Sequence, residues 1–430
     1  MEEYDLQDVA YEKIDRGYSS QWELMDDLFA WLDLRLYFFY KHHQWLGPRN
    51  DMRNMMGLVV SREEFEHNLA KAAQLGLAAQ LDGEEAAQLG ASHAAIRARL
   101  NRTEQEFPLA QLFSRCGLDD FQRDCVILAY AGALDQKYEK LFAYLQDDIT
   151  RKAPSPALAV QLFLPPDATL EAYLSRFSRR DTFTGLFDRE RLAAGQLVLH
   201  PIVLEYLSTG TVAPMPGLRL FDGAAERPGG PLVIGQETAR RLELLYREPG
   251  QRVICLTGGP GSGKRFQVEH LMARTGERCV FLSLDCDSPE ERAREGILTA
   301  RLTGACLCCG HMEGQDADGR PLPAEGKLLQ AILALEPAHE KVFFLSRLPI
   351  RARLDRLTVG LELPDTTEDE RIALFRAFLG DTPLGDGLTV EELASKFRFS
   401  PRQVELPAVL GRQHLKPTAW LTDRHGYDPT

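Results

Sequence analysis

A glycine-rich segment followed by a lysine is the part of this sequence whose residue types most clearly suggest chemistry. The segment GGPGSGK matches the pattern G-x-x-x-x-G-K and follows the apolar run VICLT. Glycines let a loop wrap a phosphate chain with its backbone N–H groups, and the N-terminus of the next helix adds positive potential. The lysine would reach the outer phosphates. The pattern therefore predicts a site for ATP or ADP that comprises Gly258, Gly259, Pro260, Gly261, Ser262, Gly263, Lys264 and Arg265.

The residue after the lysine departs from this pattern. A working loop of this kind carries a Ser or Thr whose hydroxyl binds Mg²⁺, whereas this chain has Arg265. A guanidinium has no acceptor lone pair, so Mg²⁺ would have to find its ligands elsewhere. Two roles stay open for Arg265. It places a second cation near the phosphates, or it fills the metal position.

The carboxylates that hydrolysis requires are missing from the strand ends where they are expected. A strand-terminal acid normally holds the metal and helps to polarise the attacking water. The run GACLCCGH ends at Gly310 and His311, and the run KVFFLSR ends at Ser346 and Arg347. Glu313 and Asp316 lie beyond the first of these ends and are weak substitutes. We therefore predict nucleotide binding with weak or no hydrolysis, and we assign no catalytic residue.

Strand and helix patterns alternate around the glycine segment, which predicts an α/β domain. The strand candidates are residues 253–256, 279–284, 305–309, 341–345 and 357–363. After Pro364 the sequence becomes helical, and two segments begin with a Thr ahead of a Glu, which is a capping signal. We predict a nucleotide-binding core over residues 232–364 and a helical lid over residues 365–411.

The chain before this domain is rich in helical patterns. Apolar residues recur at helical spacing after residue 20, and we predict a helical region over residues 1–105. Residues 106–208 carry short helical patterns separated by Gly117 and Gly132, then a short strand and a helix, which favours a winged-helix-like domain. A Gly- and Pro-rich linker is predicted over residues 209–231, and a polar tail over residues 412–430.

The composition, 44 % hydrophobic and 26 % charged, is typical of a soluble globular protein. No apolar run is long enough to span a membrane, and the acidic start resembles no targeting signal, so we expect a cytoplasmic protein. The net charge of −13 disfavours broad contact with nucleic acid or anionic membranes. The segment CLCCGH offers zinc ligands at poor spacing, and a buried strand is the favoured interpretation.

Residues 232–411 resemble an AAA+ module, with a phosphate-binding loop, a five-stranded parallel sheet and a small helical lid. The resemblance implies that Arg402, in a late lid helix, contacts the γ-phosphate and that Ser346 is a polar sensor at the end of the fourth strand. It also implies protein partners, in a homo-oligomer or a ring with another AAA+ chain. Arg351, Arg353 and Arg356 are candidates to complete a neighbour's site, although solvated surface arginines are the simpler interpretation.

Residues 118–163 resemble a segment of bacterial AAA+ ATPases with a winged-helix region, some of which accompany extracellular contractile injection systems. The resemblance covers the amino-terminal part and a degenerate first AAA+ module, and it implies that the competent module is one this chain lacks. We therefore favour an ATP-binding assembly or regulatory subunit. The alternatives are a slow ATPase that remodels protein partners with the help of another chain, and a winged-helix DNA-binding regulator.

Overall fold

The computed structural model describes most of the chain in two separate units. The units are Met1–Val212 and Ala213–Thr430. The described residues are 16–42, 76–165, 168–178, 181–284, 286–310, 332, 341–347, 349, 356–380, 389–396 and 401.

The first unit is helical throughout its described part. Two short 3₁₀ segments, Leu77–Ala79 and Ser175–Ser178, accompany the α-helices. The helices are α1 (Gln21–His42), α2 (Gly83–Asn101), α3 (Pro108–Arg115), α4 (Asp120–Leu134), α5 (Gln136–Leu145), α6 (Pro156–Phe163), α7 (Leu170–Leu174), α8 (Thr182–Gly185), α9 (Arg189–Ala193) and α10 (Pro201–Thr209).

Two details of this unit differ from the sequence analysis. Gly117, at φ +59°, does separate α3 from α4, but Gly132 lies inside α4. The break falls instead at Asp135, whose carboxylate accepts a hydrogen bond from the backbone N–H of Lys137 and so caps α5. The predicted strand before α10 is a single antiparallel bridge between Phe187 and Leu199.

The second unit is built on a six-stranded sheet in the order β1-β3-β4-β5-β2-β6. Strand β1 pairs antiparallel with β3, and all other pairs are parallel. The strands are β1 (Leu218–Asp222), β2 (Arg252–Thr257), β3 (Arg278–Ser283), β4 (Cys306–Gly310), β5 (Lys341–Ser346) and β6 (Leu357–Glu362).

The predicted sheet of five parallel strands therefore lacks one strand of the observed sheet. All five predicted strands are present, and β1 adds an antiparallel edge strand from within the segment predicted as a linker. Its side chains Leu218 and Phe221 are buried in the core of the sheet domain. A short apolar run among glycines and prolines carries little local signal, and its place in the sheet depends on pairing with a strand far along the chain.

Helices cover both faces of this sheet. The helices of the second unit are α11 (Gln236–Arg247), α12 (Lys264–Thr275), α13 (Pro289–Thr303), α14 (Glu368–Leu379) and α15 (Val390–Lys396). Helices α11 and α12 pack on one face, and α13 packs on the other. Parallel strands covered on both sides must be apolar throughout, which explains their nearly continuous hydrophobic sequences.

Helices α14 and α15 form the described part of the predicted lid. Thr367 accepts from the backbone N–H of Glu370, whose carboxylate accepts in return, and Thr389 and Glu392 repeat this exchange. Leu374, Phe375, Leu393 and Ala394 form a separate apolar core, against which Val233 and Ile234 also pack. Apart from Pro401, the remainder of the predicted lid after α15 lies outside the described residues, as do Arg402 and the tail.

No helix in the part of the chain that the structure describes combines the length and apolar character needed to cross a bilayer.

Candidate phosphate-binding site

The glycine loop, residues 258–263, connects the C-terminal end of β2 to the first turn of α12. Strand β2 lies inside the sheet, between β5 and β6. After α12 the chain continues to β3, which lies beyond β5 on the side of β2 opposite to β6. Ligands of open α/β sheets bind at the carboxyl ends of strands, where successive connections leave in opposite directions. The loop occupies such a position.

The glycines are required by the backbone of the loop. Gly258, Gly261 and Gly263 have φ angles of +156°, +72° and +92°. At Gly258 a Cβ atom would lie 2.8 Å from the carbonyl oxygen of Leu363 and 2.9 Å from Oγ of Ser262. Gly263 is the N-cap of α12 and adopts the left-handed conformation. Only glycine adopts such angles without strain, so the spacing seen in the sequence reflects the geometry of the turn.

Lys264 is the first residue of α12, and its side chain turns back onto the loop. Its Nζ donates hydrogen bonds to the carbonyl oxygens of Gly258 at 2.7 Å and Gly259 at 2.8 Å. Oγ of Ser262 lies 3.4 Å from the same atom. The ammonium is half-buried and close to the start of the helix, where anions are favoured. The ammonium group of Lys264 is thus held by atoms of the glycine loop.

Arg265 is directed along its own helix and towards the sheet. Its Nε donates to Oε1 of Glu269 at 2.9 Å, and its guanidinium lies 4.6 Å from the ring centroid of Phe281. Arg219 on β1 donates to the same carboxylate oxygen at 3.3 Å. Glu269 is only 8 % exposed, whereas the side chains of Arg265 and Arg219 are 46 % and 51 % exposed. The side chain after the lysine thus contacts β3 and Glu269, and it supplies no oxygen ligand for Mg²⁺.

The neighbouring strand ends match the sequence analysis where the structure describes them. Strand β4 ends at Gly310, and β5 ends at Ser346, which is 4 % exposed and in register with Thr257. Neither of these two described ends carries a carboxylate. His311, Glu313 and Asp316 lie outside the described residues.

Two acidic residues that the sequence analysis did not consider lie beside the loop. Glu362 ends β6 in register with Thr257, and its side chain is exposed. Oδ1 of Asp365 lies 3.9 Å from the point where a Cβ on Gly259 would be. The sequence analysis expects the acid at the end of the third or fourth predicted strand. Glu362 lies inside the fifth predicted strand, residues 357–363, and Asp365 follows it, which is the signal that the sequence offered.

The arginines considered for a subunit interface are only partly described. Arg351 and Arg353 lie outside the described residues, as does Arg402. Arg356 is half-buried and directly precedes β6. Since β6 runs parallel to β2, Arg356 lies at the end of the sheet opposite to the glycine loop.

The cysteine-rich strand β4 is a core strand. Cys308 packs with α12 on one face of the sheet, and Cys309 packs in the core on the other face, as strand alternation predicts. Among the residues that the structure describes, no group of three or more His, Cys, Asp or Glu side chains is arranged to hold a metal ion.

Comparisons with known proteins add one family match. The family described as winged helix domain, variant, matches residues 10–185, and so extends across most of both predicted amino-terminal regions. No curated protein matches the chain. A solved structure described as "Structural Basis for Katanin Self-Assembly" is similar with 15 % sequence identity and a TM-score of 0.34, over 49 % of this chain and 79 % of that one. A similarity this weak carries no argument about function.

Proposed function

We propose that the second unit binds the phosphate chain of ATP or ADP through the glycine loop and Lys264. The observation that carries this proposal is the conformation of the loop at the end of β2. Three glycines at positive φ shape it, α12 begins directly after it, and Nζ of Lys264 lies against it. A nucleotide would exchange the contacts of Lys264 with two carbonyl oxygens for stronger ones with phosphate oxygens.

Hydrolysis by the isolated chain is proposed to be weak or absent. Arg265 replaces the hydroxyl ligand of Mg²⁺ and is engaged with Glu269 and Phe281. The described ends of β4 and β5 bring no acid to the loop. The loss of a single stabilising group commonly lowers turnover by about 10²- to 10³-fold. Mg²⁺ should therefore contribute little to nucleotide affinity here.

We further propose that the protein acts as an assembly or regulatory subunit in the cytoplasm, with protein partners in a homo-oligomer or together with another AAA+ chain. Nucleotide in the glycine loop would change the angle between the sheet domain and the lid helices, and thereby the surface offered to a partner. The AAA+ resemblance supports this role, and the winged-helix match suggests a region for partner contact.

Nucleotide titration of the 430-residue chain tests the binding proposal. The wild type and Lys264→Met are titrated with ATP and ADP by calorimetry, in EDTA and again in Mg²⁺. We expect the variant to bind at least about tenfold more weakly, because it loses charged hydrogen bonds to phosphate. Lys140→Met, at an exposed position of the first unit, should bind as the wild type does. Equal affinity in wild type and Lys264→Met, or no binding to either, would refute the proposal.

The second candidate function is a slow ATPase, and the carboxylates of Glu362 and Asp365 beside the loop favour it. Phosphate release above the Lys264→Met background, lost again in Glu362→Gln, would support this alternative. The measurement is made on the chain alone and then with an intact AAA+ protein added.

The third candidate is a DNA-binding regulator, favoured only by the winged-helix match. Acidic residues outnumber basic ones within residues 10–185, which opposes it. A steep fall in affinity for duplex DNA with rising salt would support this function, and no binding at low salt would exclude it.

A further inference from the structure

Three thiols lie together on the face of the sheet that α12 covers. Cys279 on β3 is directly opposite Cys306 on β4, and Cys308 follows two residues later on the same face. We call these three residues the thiol cluster. Cys279 and Cys308 are 0 % and 1 % exposed, whereas Cys306 is partly accessible to solvent.

The thiol of Cys279 interacts with the other two thiols of the cluster. The thiol of Cys279 is within hydrogen-bonding reach of the thiols of Cys306 and Cys308. Sγ of Cys306 lies 3.5 Å from Sδ of Met272 on α12. Burial raises the pKa of the Cys279 thiol well above its usual range, so this group is held as a neutral thiol. A small oxidant in solution therefore encounters Cys306 first.

The backbone geometry suits a bond between the two opposed residues. Neighbouring strands lie about 4.7–4.9 Å apart, and disulfides join Cα atoms about 4.4–6.8 Å apart. The Cα separation of Cys279 and Cys306 thus lies within the disulfide range, and the bond would draw their Cβ atoms to about 3.5–4.5 Å. Cys306 and Cys308 are two residues apart on one strand, about 6.6 Å, which is close to the upper limit.

We propose that Cys306 and Cys279 form an oxidisable dithiol that a hydroperoxide converts into a disulfide. The thiolate of Cys306 attacks one peroxide oxygen, the O–O bond breaks, and Cys306 becomes a sulfenic acid as the peroxide is reduced to water or an alcohol. The sulfur of Cys279 then attacks the sulfenic sulfur. The S–S bond forms, the S–O bond breaks, and the oxygen leaves as water with the thiol proton. A dithiol reductant restores both thiols.

Mass spectrometry of the full chain tests this proposal. Reduced native protein is exposed to hydrogen peroxide, the reaction is stopped with catalase, and the remaining thiols are blocked while the protein is unfolded in the blocking reagent. We expect the loss of two hydrogen atoms and two fewer blocked thiols than the eight of the reduced chain. Trypsin cleaves after Arg278 and Arg301, so the linked peptides should begin at Cys279 and Leu302.

Matched cysteine variants identify the pair. Cys279→Ala should give no crosslink and should leave a sulfenic acid on Cys306 that dimedone traps. Cys309→Ala on the opposite face, and Cys286→Ala in the same peptide as Cys279, should form the crosslink as the wild type does. Cys306→Ser, at the partly exposed position, must also abolish it, which keeps the test valid if the core variant fails to fold. A wild type that retains eight thiols, or a crosslink that persists in Cys306→Ser, would overturn the proposal.

Discussion

The conformation of the glycine loop can be tested by substituting two neighbouring glycines, one of which has no space for a side chain while the other has space. Gly258→Ala introduces a Cβ that would lie 2.8 Å from the carbonyl oxygen of Leu363, in a backbone with φ +156°. Gly259→Ala introduces one whose nearest neighbour, Oδ1 of Asp365, is 3.9 Å away. The φ of Gly259 is not in the left-handed range. The two substitutions are chemically identical, so any difference in effect reports the local geometry.

The expected magnitudes follow from strain and overpacking. A side chain at a φ that only glycine favours costs about 1–3 kcal/mol, and a contact too short to relax costs about 1–3 kcal/mol more. Gly258→Ala should therefore lower the free energy of unfolding of the second unit by about 2–6 kcal/mol. Gly259→Ala should leave it unchanged or raise it by up to about 1 kcal/mol, because alanine restricts the unfolded chain.

Differential scanning calorimetry of the full chain measures both effects. For a unit of this size, about 1 kcal/mol shifts the midpoint by about 2–4 °C, so Gly258→Ala should lower the transition of the second unit by at least about 4 °C. The first unit, Met1–Val212, serves as an internal control and should unfold as in the wild type. Equal shifts in the two variants, or no shift in Gly258→Ala, would show that the loop is not packed against Leu363.

Three further predictions concern stability. Burial raises the pKa of Asp124 to about 7, with the charge of Arg35 opposing this rise, while the ordinary value is 3.8. The folded state therefore holds a proton that the unfolded state releases, and the stability of the first unit should fall by as much as about 4 kcal/mol between about pH 4 and pH 7. Urea titrations followed by tryptophan fluorescence should show a flatter pH dependence for Asp124→Asn but not for the exposed control Asp26→Asn, and unchanged slopes would contradict this. Lys341 is 6 % exposed, and its Nζ donates to the carbonyl oxygens of Glu248 and Gly250 at 2.5 Å. Lys341→Met removes both hydrogen bonds and leaves the carbonyl oxygen of Glu248 with only the longer donation from Arg252 at 3.3 Å, so it should destabilise the second unit by about 1–3 kcal/mol in calorimetry, whereas the exposed Lys396→Met should not. Thr367→Ala removes the N-cap of α14 and should cost about 1 kcal/mol, detected as faster amide exchange in the first turn of that helix, with Thr358→Ala on β6 as the silent control.

Local patterns predicted much of the sheet domain. The five predicted strands agree with the observed ones to within one residue at each end. A strand buried on both faces is apolar along its whole length, and such a run is visible without knowledge of its partners. The starts of α14 and α15 could also be predicted from the sequence, since a Thr and a Glu three residues later exchange hydrogen bonds within a single turn.

Features that depend on distant residues were missed. Strand β1 was assigned to a linker because its short run gains its place only by pairing with β3. One local boundary is also wrong, since the sequence analysis predicts a helix break at Gly132, whereas α4 continues through it and ends before Asp135. The sequence likewise gave no indication of which direction Arg265 would take, because Glu269 is one turn away but Phe281 comes from another strand.

The amino-acid sequence alone determined where the glycines stand, which runs are strands and where the capped helices begin, because each of these depends on residues within a few positions of one another. Only the tertiary structure decided that Lys264 turns back onto the loop, that the acids beside it come from the end of β6, and that Cys279 faces Cys306. These contacts join residues from separate elements, and strand order and register, which no local pattern encodes, bring them together.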